Sequence, residues 1–154
     1  MELIGDGGEV SAVVDYAHTP EGLKCALNAL RSHFSGKIWC VFGCGGNRDK
    51  GKRPLMGEIA ESNADYLVLT DDNPRNEEGD EIIGHIVSGI SDQSRAKIIR
   101  DRGKAISYAI LNAKPTDVVL VAGKGHENYQ EAGGVRQLFS DASQVRLALK
   151  QRQQ

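Results

Sequence analysis

The sequence predicts an α/β fold, in which a mostly parallel sheet of about six strands carries helices on both faces. Short runs rich in β-branched residues alternate with amphipathic helical windows along almost the whole chain, which is typical of right-handed βαβ units. Two runs, residues 37–43 and 117–122, are nearly continuous in apolar residues, as in strands that are covered on both faces. The 154 residues are enough for one compact domain with its own core.

The predicted elements follow one another in the order of a Rossmann-like sheet. Pro20 suits the first turn of the first helix, because its missing N–H needs no partner there. Leu23, Leu27 and Leu30 recur at helical spacing and give this helix a face to bury. Asp141 is the expected N-cap of the last helix. The predicted strands are residues 10–16, 37–43, 66–70, 96–99 and 117–122 with a short edge strand over 135–139, and the predicted helices are residues 20–33, 53–62, 78–90, 103–112 and 141–151.

Charge and hydropathy exclude several classes of protein. The net charge of −2 and the pI of about 6.1 argue against a nucleic-acid-binding protein. No apolar run approaches the ~20 residues of a transmembrane helix, and the start of the chain lacks a signal-peptide pattern. We therefore expect no membrane partner and a cytoplasmic location. Of the three cysteines, Cys25 and Cys40 are expected in the core and Cys44 in an accessible loop, all reduced.

Four loops should carry the ligand site, because ligands of such sheets bind beyond the carboxyl ends of the strands. These loops span residues 17–19, 45–52, 71–76 and 123–127. The second contains the pattern G-x-x-x-x-G-K, but Arg53 stands where a P-loop needs Ser or Thr. It also fails the dinucleotide pattern G-x-G-x-x-G, because Arg48 occupies the third glycine position. Both nucleotide-binding fingerprints are therefore rejected.

Two arginines in these loops are candidates for binding an anion. The glycines before Arg48 let the backbone approach a ligand, and a guanidinium grips a carboxylate or phosphate with two bonds. Lys50 and Lys52 are expected to be solvated. Asp72 and Asn73 can close an Asx-type turn that Pro74 stiffens, which would hold Arg75 in a fixed direction for carboxylate recognition. The alternative is an ordinary turn whose arginine faces water.

The remaining two loops add candidates of the opposite charge. Gly123 and Gly125 permit tight backbone geometry, and Glu127 is placed to neutralise an ammonium group. Asp15, with His18 just beyond it, suits a ribose hydroxyl. A structural role for Asp15, as a helix cap or a hydrogen-bonded polar group of the core, is equally favoured. Two arginines and one glutamate on adjacent loops suit a zwitterion that has carboxylates and an amine, such as a diamino-dicarboxylic acid.

Four motifs resemble the C-terminal domain of the Mur ligase family, in the order found there. They are VVDYAHTPEGL, VFGCGGNRDKGKRPLMGEIA, TDDNPRNE and VLVAGKGHENYQ, and together they cover essentially the whole chain. The D-N-P-R tetrapeptide is the most specific, because it separates diaminopimelate-adding from lysine-adding members. The resemblance implies a domain of the ligase that adds meso-diaminopimelate to UDP-MurNAc-L-Ala-D-Glu, through an acyl-phosphate, in peptidoglycan precursor synthesis.

The resemblance also implies cofactors, partners and residue roles. ATP and Mg²⁺ would be held mainly by a central ATPase domain, and the UDP-MurNAc-dipeptide by an N-terminal domain, both absent from this chain. We therefore expect no catalytic residue, no metal ligand and no ligase or ATPase activity in the domain alone. The implied diaminopimelate-binding residues are Arg48, Asp72, Asn73, Pro74, Arg75, Gly123 and Glu127, and those near the nucleotide are Asp15 and His18.

Two other functions compete with this interpretation. A stand-alone module that binds an amino acid or a nucleotide would have the same fold and the same polar loops. A dinucleotide-dependent oxidoreductase is disfavoured, because the glycine fingerprint is broken at Arg48.

Overall fold

A six-stranded sheet organises the chain, in a computed structural model that describes residues 1–5 and 10–154. Its strands are β1 (Glu2–Ile4), β2 (Ser11–Asp15), β3 (Ile38–Phe42), β4 (Tyr66–Leu69), β5 (Ala96–Ile98) and β6 (Val118–Ala122). They lie in the order β1-β2-β6-β3-β4-β5, and only β1 runs antiparallel to its neighbour. The predicted fold class, a mostly parallel α/β sheet, is confirmed.

Helices cover both faces of this sheet. They are α1 (Pro20–His33), α2 (Lys52–Asn63), α3 (Gly79–Val87), α4 (Arg102–Asn112) and α5 (Asp141–Arg152), with a 3₁₀ turn at Gln93–Arg95. Alternate residues of the central strand β6 belong to the two layers of the core: Leu120 to the layer that includes α1 to α3, and Val121 to the layer that includes α4 and α5. Pro20 begins α1 as predicted, and the Thr19 hydroxyl caps it by accepting a bond from the Gly22 N–H at 3.0 Å.

Two strands were not predicted from the sequence, and one predicted strand lies outside the main sheet. The edge strand β1 has three residues, too few for a period-2 pattern to stand out. Residues 135–139 do not join the main sheet. Instead, β7 (Tyr129–Ala132) and β8 (Val135–Leu138) form a separate antiparallel hairpin around Gly133 and Gly134, both of which have positive φ.

The predicted N-cap of the last helix was wrong. Ser140, not Asp141, caps α5, because its hydroxyl accepts the Ser143 N–H at 3.2 Å. Asp141 is fully buried and accepts two 2.8 Å bonds from the equally buried guanidinium of Arg102. A buried guanidinium needs an anionic partner, so the Asp141 carboxylate pairs with Arg102 and does not cap the helix.

Two of the three expectations for the cysteines were wrong. Cys40 is buried in β3 as expected, but Cys25 is exposed, because the buried stripe of α1 passes through Leu23, Ala26, Leu27 and Leu30 instead. Cys44 is buried rather than accessible. Its Sγ lies 3.6 Å from Met56 Sδ, and burial raises the pKa of its thiol to about 12. Among the described residues, no helix is long and apolar enough to cross a membrane.

Candidate functional site

A cleft of about 490 Å³ opens at the carboxyl edge of the sheet. All four loops selected from the sequence contribute to it, as expected from the parallel strands that precede them. Its lining residues are Tyr16, His18, Thr19, Gly45, Arg48, Asp49, Lys52, Asp72, Asn73, Arg75, Gly123, Glu127 and Tyr129.

The charged side chains of the cleft divide evenly by sign. The cations are Arg48, Lys52 and Arg75, and the anions are Asp49, Asp72 and Glu127. Opposite charges on one concave surface complement a ligand that itself carries both signs, and they disfavour a purely anionic or cationic ligand. The cleft therefore suits a zwitterion.

Arg75 is held firmly in place. Its φ of +55° is unusual for a residue other than glycine and costs about 1–3 kcal/mol, which the surroundings must offset. The β7–β8 hairpin does so: the Arg75 N–H donates to Glu131 O at 3.0 Å, and the Gly133 N–H donates to Arg75 O at 2.7 Å. The guanidinium donates to Gly46 O at 2.9 Å. The rigid direction predicted for Arg75 thus comes largely from the hairpin, which was not predicted from the sequence.

The turn before Arg75 is built differently from the predicted Asx turn. The Asn73 Oδ1 accepts bonds from Lys124 Nζ at 2.7 Å and from the Glu131 N–H at 2.9 Å, so it joins three segments. Its Nδ2 lies 3.5 Å from Glu127 Oε1. Pro74 is buried outside the cleft lining and shapes the turn from behind.

Arg53 locks the glycine loop onto the loop that carries Arg75. Its fully buried guanidinium donates to Gly45 O at 2.9 Å and to Glu77 Oε2 at 2.7 Å, and lies 3.0 Å from His85 Nδ1. Glu77 also accepts the Asn47 N–H at 2.6 Å. The Arg53 bond, followed by the Asn47 bond, lowers the pKa of Glu77 to about 2. Arg48 extends from this braced loop as an exposed side chain on the cleft.

A second buried cation, Lys124, lies in the cleft wall beside Glu127. Its side chain is fully buried, and its Nζ donates to Tyr129 O at 2.9 Å. It also lies 3.7 Å from Asp72 Oδ1 and 3.5 Å from Glu127 Oε1. Burial lowers its pKa. Neighbouring Gly123 adopts φ +118°, and a Cβ there would meet Asp72 Oδ2 at 2.6 Å, so both backbone and space require glycine.

Of the two residues predicted near a nucleotide, His18 lines the cleft and Asp15 does not. His18 is exposed on the cleft rim, with its ring 4.8 Å from that of Tyr16. Asp15 lies behind the lining, and its Oδ2 accepts the Ala17 N–H at 2.8 Å. Lys50 is solvated as expected, but Lys52 lines the cleft and donates to His18 O at 2.8 Å.

Within residues 1–5 and 10–154, no three His, Cys, Asp or Glu side chains are grouped closely enough to hold a metal ion.

Residues 1–125 match the family described as Mur ligase, glutamate ligase domain. The chain belongs to the Mur ligase family. A solved structure of a UDP-N-acetylmuramoyl-L-alanyl-D-glutamate–2,6-diaminopimelate ligase matches this Mur ligase domain at 46% identity, with a TM-score of 0.94. The match covers 100% of this chain and 32% of that one, so the domain spans about a third of the matched ligase.

Two solved structures of lower sequence identity share the fold. A murein peptide ligase from Psychrobacter arcticus 273-4 is 19% identical, with a TM-score of 0.60 over 81% of this chain and 26% of its own. A bifunctional folylpolyglutamate synthase/dihydrofolate synthase from Yersinia pestis is 20% identical, with a TM-score of 0.62 over 79% of this chain and 27% of its own. At these identities, the comparisons support the fold of the Mur ligase domain alone.

Proposed function

We propose that this domain is the amino-acid-binding C-terminal part of the ligase that adds meso-diaminopimelate to UDP-MurNAc-L-Ala-D-Glu. The observation that carries the proposal is a single cleft that presents Arg48, Arg75 and Glu127 together. The 46% identity to a ligase with that substrate in its name, along the full length of this chain, supports the choice of amino acid. The product is a precursor of peptidoglycan, and the reaction takes place in the cytoplasm.

The proposed reaction divides the chemistry between domains. ATP phosphorylates the substrate carboxylate, and the amine of diaminopimelate then attacks the acyl-phosphate and displaces inorganic phosphate. An N-terminal domain for the UDP-substrate and a central domain for ATP and Mg²⁺ carry out the activation. The domain described here presents the amine, closes over the nucleotide and has no ligase activity alone.

Within the cleft, the two signs of charge have separate roles. Arg48, Asn73 and Arg75 bind the carboxylates of diaminopimelate, while Glu127 and the backbone of Gly123 hold its distal amine. Asp72 and Pro74 shape the recognition turn. Asp15 and His18 lie near the ribose and adenine of ATP.

Selectivity against lysine follows from the same arrangement. Lysine has the distal amine but no distal carboxylate, so the arginine that faces this position would lose its partner. A lost charge-assisted contact of this kind weakens binding by about ten- to a hundredfold.

Calorimetric titration of the chain with meso-diaminopimelate and L-lysine tests the proposal. We expect meso-diaminopimelate to bind at least about tenfold more tightly, and Arg75→Ala to remove this preference because one carboxylate loses its partner. Arg146→Ala, on the exposed surface of α5, is the matched control and should keep the preference. Equal affinity for the two amino acids in the unaltered chain would contradict the proposed function.

A further inference from the structure

The buried ammonium of Lys124 is the least expected group beside the cleft. Lysine is almost never fully buried unless it is paired, yet this side chain has no exposed surface. Its Nζ donates to Asn73 Oδ1 at 2.7 Å and to Tyr129 O at 2.9 Å. It also faces Asp72 and Glu127, at 3.7 and 3.5 Å. Lys124 thus touches three of the side chains assigned to the amino-acid site.

The contact with Asn73 fixes which end of its amide faces the cleft. An ammonium group only donates hydrogen bonds, as does the Glu131 N–H, and both are directed at the same Asn73 oxygen. The amide nitrogen must therefore point the other way, where it lies 3.5 Å from Glu127 Oε1. Asn73 is consequently presented to the cleft as a donor, which matches a ligand carboxylate and not a ligand amine.

The contacts with Asp72 and Glu127 fix the anionic side of the site. Both carboxylates face one ammonium, which offsets one of their two negative charges before any ligand arrives. Without this cation they would repel each other in a partly buried wall, and their orientation would change. Lys124 therefore aligns the acceptors for the ligand amine as well as the donor for the ligand carboxylate.

We propose that Lys124 is a positioning residue that sets the polarity of the amino-acid site, with Asn73 fixed as a donor and Asp72 and Glu127 as aligned acceptors. The inference rests on the proposed function, because it concerns how the same cleft distinguishes a diamino-dicarboxylic acid from lysine. Lys124 does not touch the ligand. Its effect is on the ratio of the two affinities, which a merely structural residue would leave unchanged.

Substitution of Lys124 by Met tests the inference, because Met keeps the length of the side chain and removes the charge. The chain is titrated with meso-diaminopimelate and with L-lysine, and binding is followed by ¹H–¹⁵N NMR. We expect Lys124→Met to weaken meso-diaminopimelate binding about ten- to a hundredfold and L-lysine binding less, so that the preference shrinks. Lys114→Met, at an exposed position outside the cleft, is the control and should leave both affinities unchanged.

If Lys124→Met does not fold, an NMR measurement on the unaltered chain still tests the inference. The side-chain NH₂ signals of Asn73 should shift on saturation with meso-diaminopimelate, because this group donates to the ligand. Asn73 signals that stay still while those of residues 123–127 move would overturn the inference, as would an unchanged preference in a folded Lys124→Met. A chain that shows no meso-diaminopimelate binding at all would instead overturn the proposed function, and the inference with it.

Discussion

The buried ion pair between Arg102 and Asp141 should be the most sensitive point of the structure outside the cleft. Both side chains are fully buried, and two 2.8 Å bonds join them. The same guanidinium donates to Ala122 O at 3.1 Å and to Asp71 O at 3.2 Å, just before Gly123 and Asp72. The perturbation is Asp141→Leu, which removes the anion and leaves the guanidinium in place.

The structure allows the size of the effect to be estimated. A buried charge that loses its ion-pair partner costs about 3–5 kcal/mol, a large fraction of the ~5–15 kcal/mol that stabilises a typical domain. Arg102→Met combined with Asp141→Leu removes both charges at similar volume. The carbonyls of Ala122 and Asp71 then lose a donor, at about 1 kcal/mol each. The double variant should therefore be about 1–3 kcal/mol more stable than Asp141→Leu alone.

Urea unfolding measures these free energies by linear extrapolation. Asp80→Asn is the matched control: its side chain is 80% exposed and lies 3.6 Å from Arg100, so its loss should cost less than about 0.5 kcal/mol. A free energy of unfolding for Asp141→Leu within about 1 kcal/mol of that of the unaltered chain would refute the predicted role of the ion pair. A double variant that is no more stable than the single one would refute it equally.

Two further predictions concern the loops around the cleft. A Cβ at Gly46 would lie 1.8 Å from Pro74 O, so Gly46→Ala should lower the free energy of unfolding in urea by about 1–3 kcal/mol. A Cβ at Gly84 in α3 would have nothing within 4 Å, so Gly84→Ala should raise this free energy by up to about 1 kcal/mol. Equal effects would contradict this packing. The lowered pKa of Glu77, about 2, means that its contribution to stability is present above its ordinary value near 4.5 and is lost as pH falls towards 2. Glu77→Gln should therefore lower the urea midpoint at neutral pH and have little effect near pH 2. A difference in midpoint between this variant and the unaltered chain that does not depend on pH would count against the bond with Arg53.

Much of the fold could be predicted because its signals are local. The continuous apolar runs of β3 and β6 reflect burial on both faces, and Pro20 marks the start of α1 through its own backbone chemistry. The hairpin was missed because its residues are mostly polar and exposed. The Gly133–Gly134 pair between two short runs was the signal that could have revealed it.

The cleft was predicted at the level of loops, but its internal supports were not. Parallel strands end at the same edge, so Arg48, Arg75 and Glu127 were expected near one another, and all three line the cleft. The buried roles of Arg53 and Lys124 depend on partners distant in sequence, such as Glu77 for Arg53. No local sequence pattern marks either residue as buried, and a charged residue in a glycine-rich loop is usually exposed to solvent.

A crystal structure of the chain grown with meso-diaminopimelate tests the central claim most directly. We predict that the amino acid lies in the cleft, with a carboxylate within hydrogen-bonding distance of the Arg75 guanidinium and an amine within the same distance of Glu127. A ligand bound elsewhere, or bound in the cleft with its amine towards Arg75 and its carboxylate towards Glu127, would contradict it.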